Sequence, residues 1–309
     1  GSMVVPTMLE KGYSKRFTLA LIACAGSIGV IIPPSIPMVV YGVATNTSIS
    51  SLFMAGFGPG LLIGFSLIAF CYFYCKKMGW KGSSTKYTLR EKMMIVWDAK
   101  WALINPVIIL GGIYAGVFTP TEAAGVAAVY AFLCGVFIYK ELNFKSLFST
   151  IGTAFSTNGT TMIIIGCATA FAKILTMEQI PMQISQAILG ISNNQIIILI
   201  VINVFLLFVG CIMDTTPAMM VLAPILLPIA ASFGMSPVHF GLVMVVNLAI
   251  GFCTPPLGIN LFVAARVGNE PLDTVIKGII PFIIVMVVDL FIITFVPSIS
   301  MFIPNMLMK

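Results

Sequence analysis

Two segments of the sequence carry the same interruption of an apolar helix. GVIIPPS places Gly29 four residues before Pro33-Pro34, and GFCTPPL places Gly251 four residues before Pro255-Pro256. Proline removes a backbone donor and breaks a helix, yet both segments lie inside apolar runs long enough to cross a bilayer. An irregular backbone at membrane depth persists only where protein or a polar cavity covers it. The pattern therefore predicts two broken helices around an enclosed polar site.

Both interruptions belong to a longer internal repeat. An ungapped shift of 222 residues pairs Pro6 with Pro228, Gly12 with Gly234, Gly29 with Gly251, Pro33 and Pro34 with Pro255 and Pro256, Gly56 with Gly278, and Pro59 with Pro281. Glycine and proline are the residues whose positions dictate backbone shape. We therefore interpret the chain as two copies of one structural unit.

The composition identifies the solvent around this repeat. Of the 309 residues, 59% are hydrophobic and only 8% are charged, against about 25% charged in a soluble domain. An all-α polytopic membrane protein is therefore expected. The net charge of +6 lies in loops between apolar runs, so it does not indicate nucleic-acid binding. His239 is the only histidine in the sequence, and no nucleophile–base pair is visible, so we do not expect an enzyme.

Nine apolar runs are candidate spans. They cover 17–45, 53–75, 102–118, 120–139, 159–175, 196–213, 219–235, 240–266 and 279–297. The polar sequence MDTTPAM joins two of them without room for an extramembrane loop, which favours a re-entrant hairpin, although charge alone also permits two full crossings. Residues 143–157 read as an amphipathic helix lying in the membrane interface.

Lysine and arginine in the loops predict the orientation. Loop 76–100 contains seven of these residues and is therefore assigned to the cytoplasm. Alternation then places 46–52, Thr119, 176–195 and 234–239 outside, and none of them contains Lys or Arg. In this topology the span after the first break runs inward and the span after the second runs outward. The repeat is therefore predicted to be inverted.

The two breaks are predicted to bind ligands. Freed carbonyls with neighbouring hydroxyl and amide oxygens suit Na⁺, and restarting helix N-termini favour an anion. The expected sodium ligands are Ser27, Gly29, Pro33, Gly210, Met213, Asn247, Gly251 and Thr254; the expected substrate contacts are Ser35, Asp214, Thr215 and Pro255. Two alternatives remain open. Asp214 could cap a helix, and the Ser, Thr and Asn side chains could satisfy the broken backbone.

Five motifs resemble one known family. They are GSMVVPTMLEKGY (1–13), GSIGVIIPPSIPMVVYG (26–42), GGIYAGVFTPTEAAGVAAVY (111–130), MDTTPAMMVLAPILLPIA (213–230) and NLAIGFCTPPLGINLFVA (247–264). They resemble the large membrane subunit of tripartite ATP-independent periplasmic (TRAP) transporters, with a softer similarity to the sialic-acid branch. The resemblance implies a sodium-driven elevator transporter in the bacterial inner membrane. It also implies a small membrane (Q) subunit and a periplasmic substrate-binding protein that delivers an organic anion.

The resemblance gives a domain organisation. Residues 1–75 and 196–297 form the two halves of a transport domain, 76–101 a basic cytoplasmic loop, 102–157 a scaffold with an interfacial arm, 158–195 a span with an outside link, and 298–309 a tail. The family's first helices and its first hairpin tip are expected before Gly1. A C4-dicarboxylate is the alternative substrate, and an ion channel is the alternative class. An intramembrane enzyme is the weakest possibility.

Overall fold

The computed structural model describes residues 1, 3–80, 88–180, 182–183 and 194–307. Within these residues the secondary structure is helical, with no strand. Part of the predicted cytoplasmic loop, residues 81–87, lies outside the described residues. So does most of the predicted outside link at 176–195.

Fourteen α-helices account for the described part of the chain. The first copy of the repeat contains α1 (Val4–Glu10), α2 (Lys15–Ile31), α3 (Ile36–Thr45) and α4 (Ile49–Met78). The middle contains α5 (Leu89–Asp98), α6 (Lys100–Tyr114), α7 (Pro120–Leu133, continued by a π-helical turn Cys134–Ile138) and α8 (Phe144–Met177). The remainder contains α9 (Gln195–Ile212), α10 (Thr215–Ser232), α11 (Pro237–Gly251), α12 (Ile259–Gly268), α13 (Leu272–Phe295) and α14 (Ser298–Leu307).

The sequence repeat is also a repeat of local structure. Helices α2 and α11 begin 222 residues apart, each behind a serine at its N-cap. The Ser14 hydroxyl accepts from the Phe17 amide at 3.3 Å, and the Ser236 hydroxyl accepts from the His239 amide at 3.1 Å. Gly12 and Gly234 both have left-handed backbone angles, with φ of 82° and 79°. The two halves therefore start their broken helices with the same cap.

Both predicted helix breaks are present. Helices α2 and α3 are separated by residues 32–35 and bent by 41°. Helices α11 and α12 are separated by residues 252–258. Six described helices are long and apolar enough to cross a membrane, or up to eight if each bent pair is one span. The inverted orientation of the two halves stays a prediction.

The chain divides into two compact units. One contains Gly1–Gly82 with Ala168–Lys309, and the other contains Ser83–Cys167. In the first unit α11 is the central helix, buried at every residue from His239 to Gly251. It contacts helices of both halves, among them α2, α3 and α4 from the first and α9, α10 and α13 from the second. A helix that is apolar on all sides is expected to be buried in this way.

Residues 143–177 differ from the prediction. The expected interfacial helix 143–157 and the expected span 159–175 form one continuous helix, α8. No proline separates the two predicted pieces, and a single glycine such as Gly159 costs a helix only about 1 kcal/mol. The boundary predicted at residues 157 and 158 is therefore not a helix break. The assignment of residues 102–157 to a scaffold stays a prediction.

The segment expected to be a tail, 298–309, contains helix α14, and residues 308–309 lie outside the described residues. This helix packs on α4, where a Cβ on Gly58 would lie 1.8 Å from the Ile299 carbonyl oxygen. The absence of a side chain at Gly58 thus permits the close approach.

Candidate functional site

The two helices predicted to form a hairpin around Asp214 are α9 and α10, joined through Met213 and Asp214, and their re-entrant course stays a prediction. Met213 has an extended backbone and ends α9, while Asp214 occupies the N-cap position of α10. The Asp214 side chain makes no capping hydrogen bond, so the capping alternative is wrong for its carboxylate. Instead Asp214 Oδ1 accepts from the buried Thr215 hydroxyl at 3.2 Å. Asp214 itself is exposed and so can meet a ligand.

The hairpin approaches the second break through two glycines. A Cβ on Gly251 would lie 2.4 Å from the Gly210 carbonyl carbon and 2.9 Å from the Cys211 amide nitrogen. A Cβ on Gly210 would lie 3.0 Å from the Leu248 Cα. The backbones of α9 and α11 are therefore in direct contact where α9 is about to end. Two of the predicted sodium residues meet at this point.

One turn before Gly251, Asn247 is fully buried and fixed in orientation. Its Nδ2 donates to Asn203 Oδ1 at 2.7 Å and to the Val243 carbonyl at 2.8 Å. Because both acceptors require the amide nitrogen, the side chain cannot be flipped without losing two hydrogen bonds. Asn247 Oδ1 is buried and has no hydrogen-bond partner among the described residues. A buried polar atom without a partner is costly, so this oxygen is a candidate ligand for a cation or a water.

Asn203 was not predicted from the sequence, although it is the residue that holds Asn247. It lies on α9 and is fully buried, and its Nδ2 donates to the Thr294 hydroxyl at 3.2 Å. Thr294 in turn donates to the Leu290 carbonyl. The sequence did contain a signal for it, since Asn203 is the one asparagine inside the apolar run 196–213. A polar residue within a membrane span is energetically costly and is usually functional. Asn203 therefore links the hairpin to both α11 and α13.

Thr254 lies just beyond Gly251 in the second break. Its hydroxyl donates to the Ile250 carbonyl at 2.9 Å, as expected if the side chain satisfies the broken helix. A hydroxyl that donates its proton keeps lone pairs on its oxygen, so the same atom remains able to coordinate a cation. Pro255, which follows it, is half-buried. The structural and ligand-binding interpretations of Thr254 are thus compatible.

The first break uses its serines in the same way. The buried Ser27 hydroxyl donates to the Cys24 carbonyl at 2.7 Å, and the Ser35 hydroxyl donates to the Val30 carbonyl at 2.5 Å. Pro33 is buried, whereas Gly29 is exposed, and a Cβ on Gly29 would meet no atom within 4 Å. Gly29 therefore lacks the close backbone contact that its repeat equivalent Gly251 makes.

The second break is hydrogen-bonded to α2, the helix that precedes the first break, through the Ala23 carbonyl. This carbonyl accepts from the Cys253 thiol at 3.2 Å and from Asn260 Nδ2 at 3.1 Å. The second break is therefore bonded directly to the helix that leads into the first. The contact between Gly210 and Gly251 is a second, separate contact of this break, because it joins the break to α9 rather than to α2. Of the predicted residues, those of the second half are the ones that the structure brings together most closely.

The donor set of the second break determines which ions it could hold. The described residues contain no group of three His, Cys, Asp or Glu side chains suited to a metal ion. The oxygens present are carbonyl, hydroxyl and amide oxygens, which suit a hard cation better than a soft transition metal. Half-helix ends and unwound backbone supply such oxygens to Na⁺ in secondary transporters. These oxygens are chemically compatible with Na⁺, and the sodium site stays a prediction.

A repeated broken helix beside a helical hairpin defines a polytopic membrane protein of the secondary-transporter type. The chain belongs to the DctM component family of tripartite ATP-independent periplasmic transporters, whose sequence profile matches residues 1–299. It is a multi-pass protein of the inner membrane, and its named relatives are transporter permeases.

Three relatives show the range of this family. An isethionate TRAP transporter permease protein DctMQ from Oleidesulfovibrio alaskensis is 49% identical over 98% of this chain and 48% of its own length. The C4-dicarboxylate TRAP transporter large permease protein of Pseudomonas aeruginosa is 40% identical over 99% and 72%. The sialic acid TRAP transporter permease protein SiaT of Haemophilus influenzae is 38% identical over 99% and 50%. The chain thus spans about half the length of the first and third.

Proposed function

We propose that this chain is the transport subunit for sodium-coupled uptake of a small organic anion by an elevator mechanism. The observation that carries the proposal is the contact of the hairpin with the second break at Gly210 and Gly251, one turn from the unpartnered Oδ1 of Asn247. A cation bound by this oxygen, by Thr254 and by nearby carbonyls would hold the hairpin against the break. Sodium binding would thereby be coupled to closure of the substrate site.

The substrate is proposed to lie beside the hairpin turn. Asp214 is exposed there, with Thr215 next to it. A carboxylate does not attract an anion, so Asp214 is proposed to accept hydrogen bonds from substrate hydroxyl or amine groups. The positive N-termini of α10 and α12 favour the anionic group itself.

Isethionate, a C4-dicarboxylate and sialic acid are the candidate substrates, since relatives are named for each. The sialic-acid assignment made from sequence motifs remains a prediction. The sequence identity is higher to the isethionate permease than to the sialic acid permease, which supports testing a small sulfonate as well as sialic acid. A small membrane (Q) subunit and a periplasmic substrate-binding protein are proposed as partners in every case.

The test is uptake by proteoliposomes that contain the full-length subunit to which this chain belongs, together with its cognate small subunit and binding protein. Isethionate, succinate and sialic acid are supplied separately, each with an inward sodium gradient and with an equal potassium gradient. We expect one anion to accumulate above its external concentration, saturably and only with sodium. Equal flux under both gradients would contradict sodium coupling. Non-saturable flux down the gradient would favour a channel.

Asp214→Asn provides a test of the substrate site within the same assay. The amide replaces one of the two acceptor oxygens with a donor, so a hydrogen bond from the substrate is lost and we expect a raised apparent KM for the anion. The sodium dependence should not change, because Asp214 is outside the proposed cation site. A shifted sodium dependence with an unchanged KM would contradict this division of roles.

A further inference from the structure

Helices α5 and α6 form an exposed groove that the transport mechanism does not use. The groove has a volume of about 460 Å³ and lies within the unit Ser83–Cys167. Its lining runs along one face of both helices and consists of Lys92, Met93, Val96, Trp97, Lys100, Leu103, Ile104 and Val107. The spacing of three to four residues continues through the 65° bend between the helices. One continuous surface strip therefore crosses the bend.

The strip changes its chemistry along its length. Lys92 lies on α5 and Lys100 is the first residue of α6, whereas the lining beyond Lys100 is purely apolar. Met93, Trp97 and Val107 are each 67% exposed, which is unusual for such large apolar side chains in water. Basic amphipathic helices with exposed apolar residues lie at membrane surfaces. The part of the groove from Lys92 to Lys100 is therefore positively charged, and we call it the mouth. The part from Leu103 to Val107 is apolar.

Lys100 is held at the mouth by aromatic contacts. Its Nζ lies 3.8 Å from the centre of the Trp97 ring and 5.5 Å from that of Trp101. Tryptophan rings are enriched at the level of lipid headgroups, and a cation over an indole face is attracted to it. These contacts keep the ammonium beside the groove.

The acidic residues of α5 do not neutralise this mouth. The Glu91 carboxylate accepts from the amide and hydroxyl of Thr88 in a capping box at the start of α5. Asp98 is exposed and does not line the groove. Among the described residues, neither Lys92 nor Lys100 forms an ion pair. The mouth therefore contains two ammonium groups without a direct ion pair among the described residues.

We propose that this groove binds an anionic phospholipid, with the headgroup phosphate between Lys92 and Lys100 and an acyl chain along Leu103, Ile104 and Val107. The charge pattern favours this occupant over a protein helix, because an apolar helix would leave two ammonium groups without counter-charges. The site is distinct from the sodium and substrate sites. It would anchor the α5–α6 bend at the membrane surface.

The test uses tryptophan fluorescence of the chain in vesicles. Trp80→Phe leaves Trp97 and Trp101 as the remaining indoles. Vesicles contain phosphatidylcholine and phosphatidylglycerol in fixed proportion, and bromine is placed on the acyl chains of one lipid or the other. We expect brominated phosphatidylglycerol to quench about twice as strongly as brominated phosphatidylcholine, because local charge enriches the anionic lipid.

Variants separate a site from general surface charge. Lys92→Gln with Lys100→Gln should abolish most of the preference, while Lys92→Arg with Lys100→Arg should keep it. Lys76→Gln with Lys77→Gln is the matched control, since it removes the same charge at the end of α4 and should leave the preference intact. Three outcomes would overturn the proposal: equal quenching by both lipids in the parent, equal loss in the control, or no quenching by either lipid. The last would indicate that protein covers the groove.

Discussion

The backbones of Gly210 and Gly251 touch, and this contact brings the hairpin to the second helix break. No side chain fits between them, because a Cβ on Gly251 would lie 2.4 Å from the Gly210 carbonyl carbon. A distance below 3.0 Å from a backbone atom requires the helices to separate. The proposed coupling of sodium to the hairpin therefore requires glycine at both positions.

Gly251→Ala should separate α9 from α11 and lower uptake at least tenfold, because the backbone atoms it meets cannot rotate away. Initial uptake rates in proteoliposomes, normalised to the inserted protein, measure the effect. Gly64→Ala is the matched control, since a Cβ there would meet no atom within 4 Å. Equal rates for Gly251→Ala and the control would show that the contact is not needed for transport.

Asn203→Leu should raise the sodium concentration for half-maximal uptake about five- to tenfold, because the hydrogen bond that orients Asn247, worth about 1–1.5 kcal/mol, is lost together with the bond to the Thr294 hydroxyl. The substitution removes the acceptor that fixes Asn247 and leaves only the Val243 carbonyl. A sodium titration at saturating substrate provides the measurement.

Ser232→Ala is the control for that titration, because its hydroxyl bonds only locally to the Ile229 carbonyl. Its sodium dependence should match that of the parent. A sodium curve for Asn203→Leu that overlays the parent would separate Asn247 from the cation site.

Thr254→Ala should weaken sodium dependence, and Thr254→Ser should restore it. The serine keeps the hydroxyl that donates to the Ile250 carbonyl and loses only a methyl group. Substrate affinity for the soluble binding protein should remain unchanged in both variants. If alanine and serine weaken sodium dependence equally, the methyl group rather than the oxygen is what matters at this position.

Ser66→Ala should destabilise the first unit. The Ser66 hydroxyl donates to Asp289 Oδ1 at 2.9 Å, while Oδ2 is buried without a partner among the described residues. Loss of this bond between α4 and α13 should cost about 1–2 kcal/mol. Thermal unfolding in detergent measures the change, and Asp289→Asn, which keeps an acceptor for Ser66, should cost less. The reverse order of the two variants would contradict this assignment.

The predicted topology can be tested by cysteine labelling. In a background whose seven native cysteines are replaced by serine, Lys77→Cys should react with a membrane-impermeant maleimide only from the cytoplasmic side, and Thr47→Cys only from the periplasmic side. Spheroplasts and inside-out vesicles expose the two faces in turn. Labelling of both cysteines from one face would overturn the orientation derived from loop charges.

The sequence alone determined the elements whose cause is local. Proline at 33–34 and 255–256 interrupts its own helix wherever that helix is placed, so both breaks were predictable. Serine, threonine and glycine likewise act on the next few residues, as in the sequence TPTE (119–122), where Thr119 and Glu122 form a capping box. Residues 143–177 show the limit of this reasoning, since the amphipathic pattern of 143–157 predicts a separate helix whereas the backbone forms one helix, Phe144–Met177.

Tertiary structure decided which distant residues share an atom-to-atom contact. Asn203 and Asn247 are 44 positions apart, and their hydrogen bond exists only because α9 packs along α11. The approach of Gly210 to Gly251 depends on the same packing, as does the link from Ala23 to Cys253. Local patterns specify where helices start and stop, because propensity and capping act over one turn. The pairing of helix faces depends on side-chain fit across the whole bundle, and one sequence read along its length does not contain that fit explicitly.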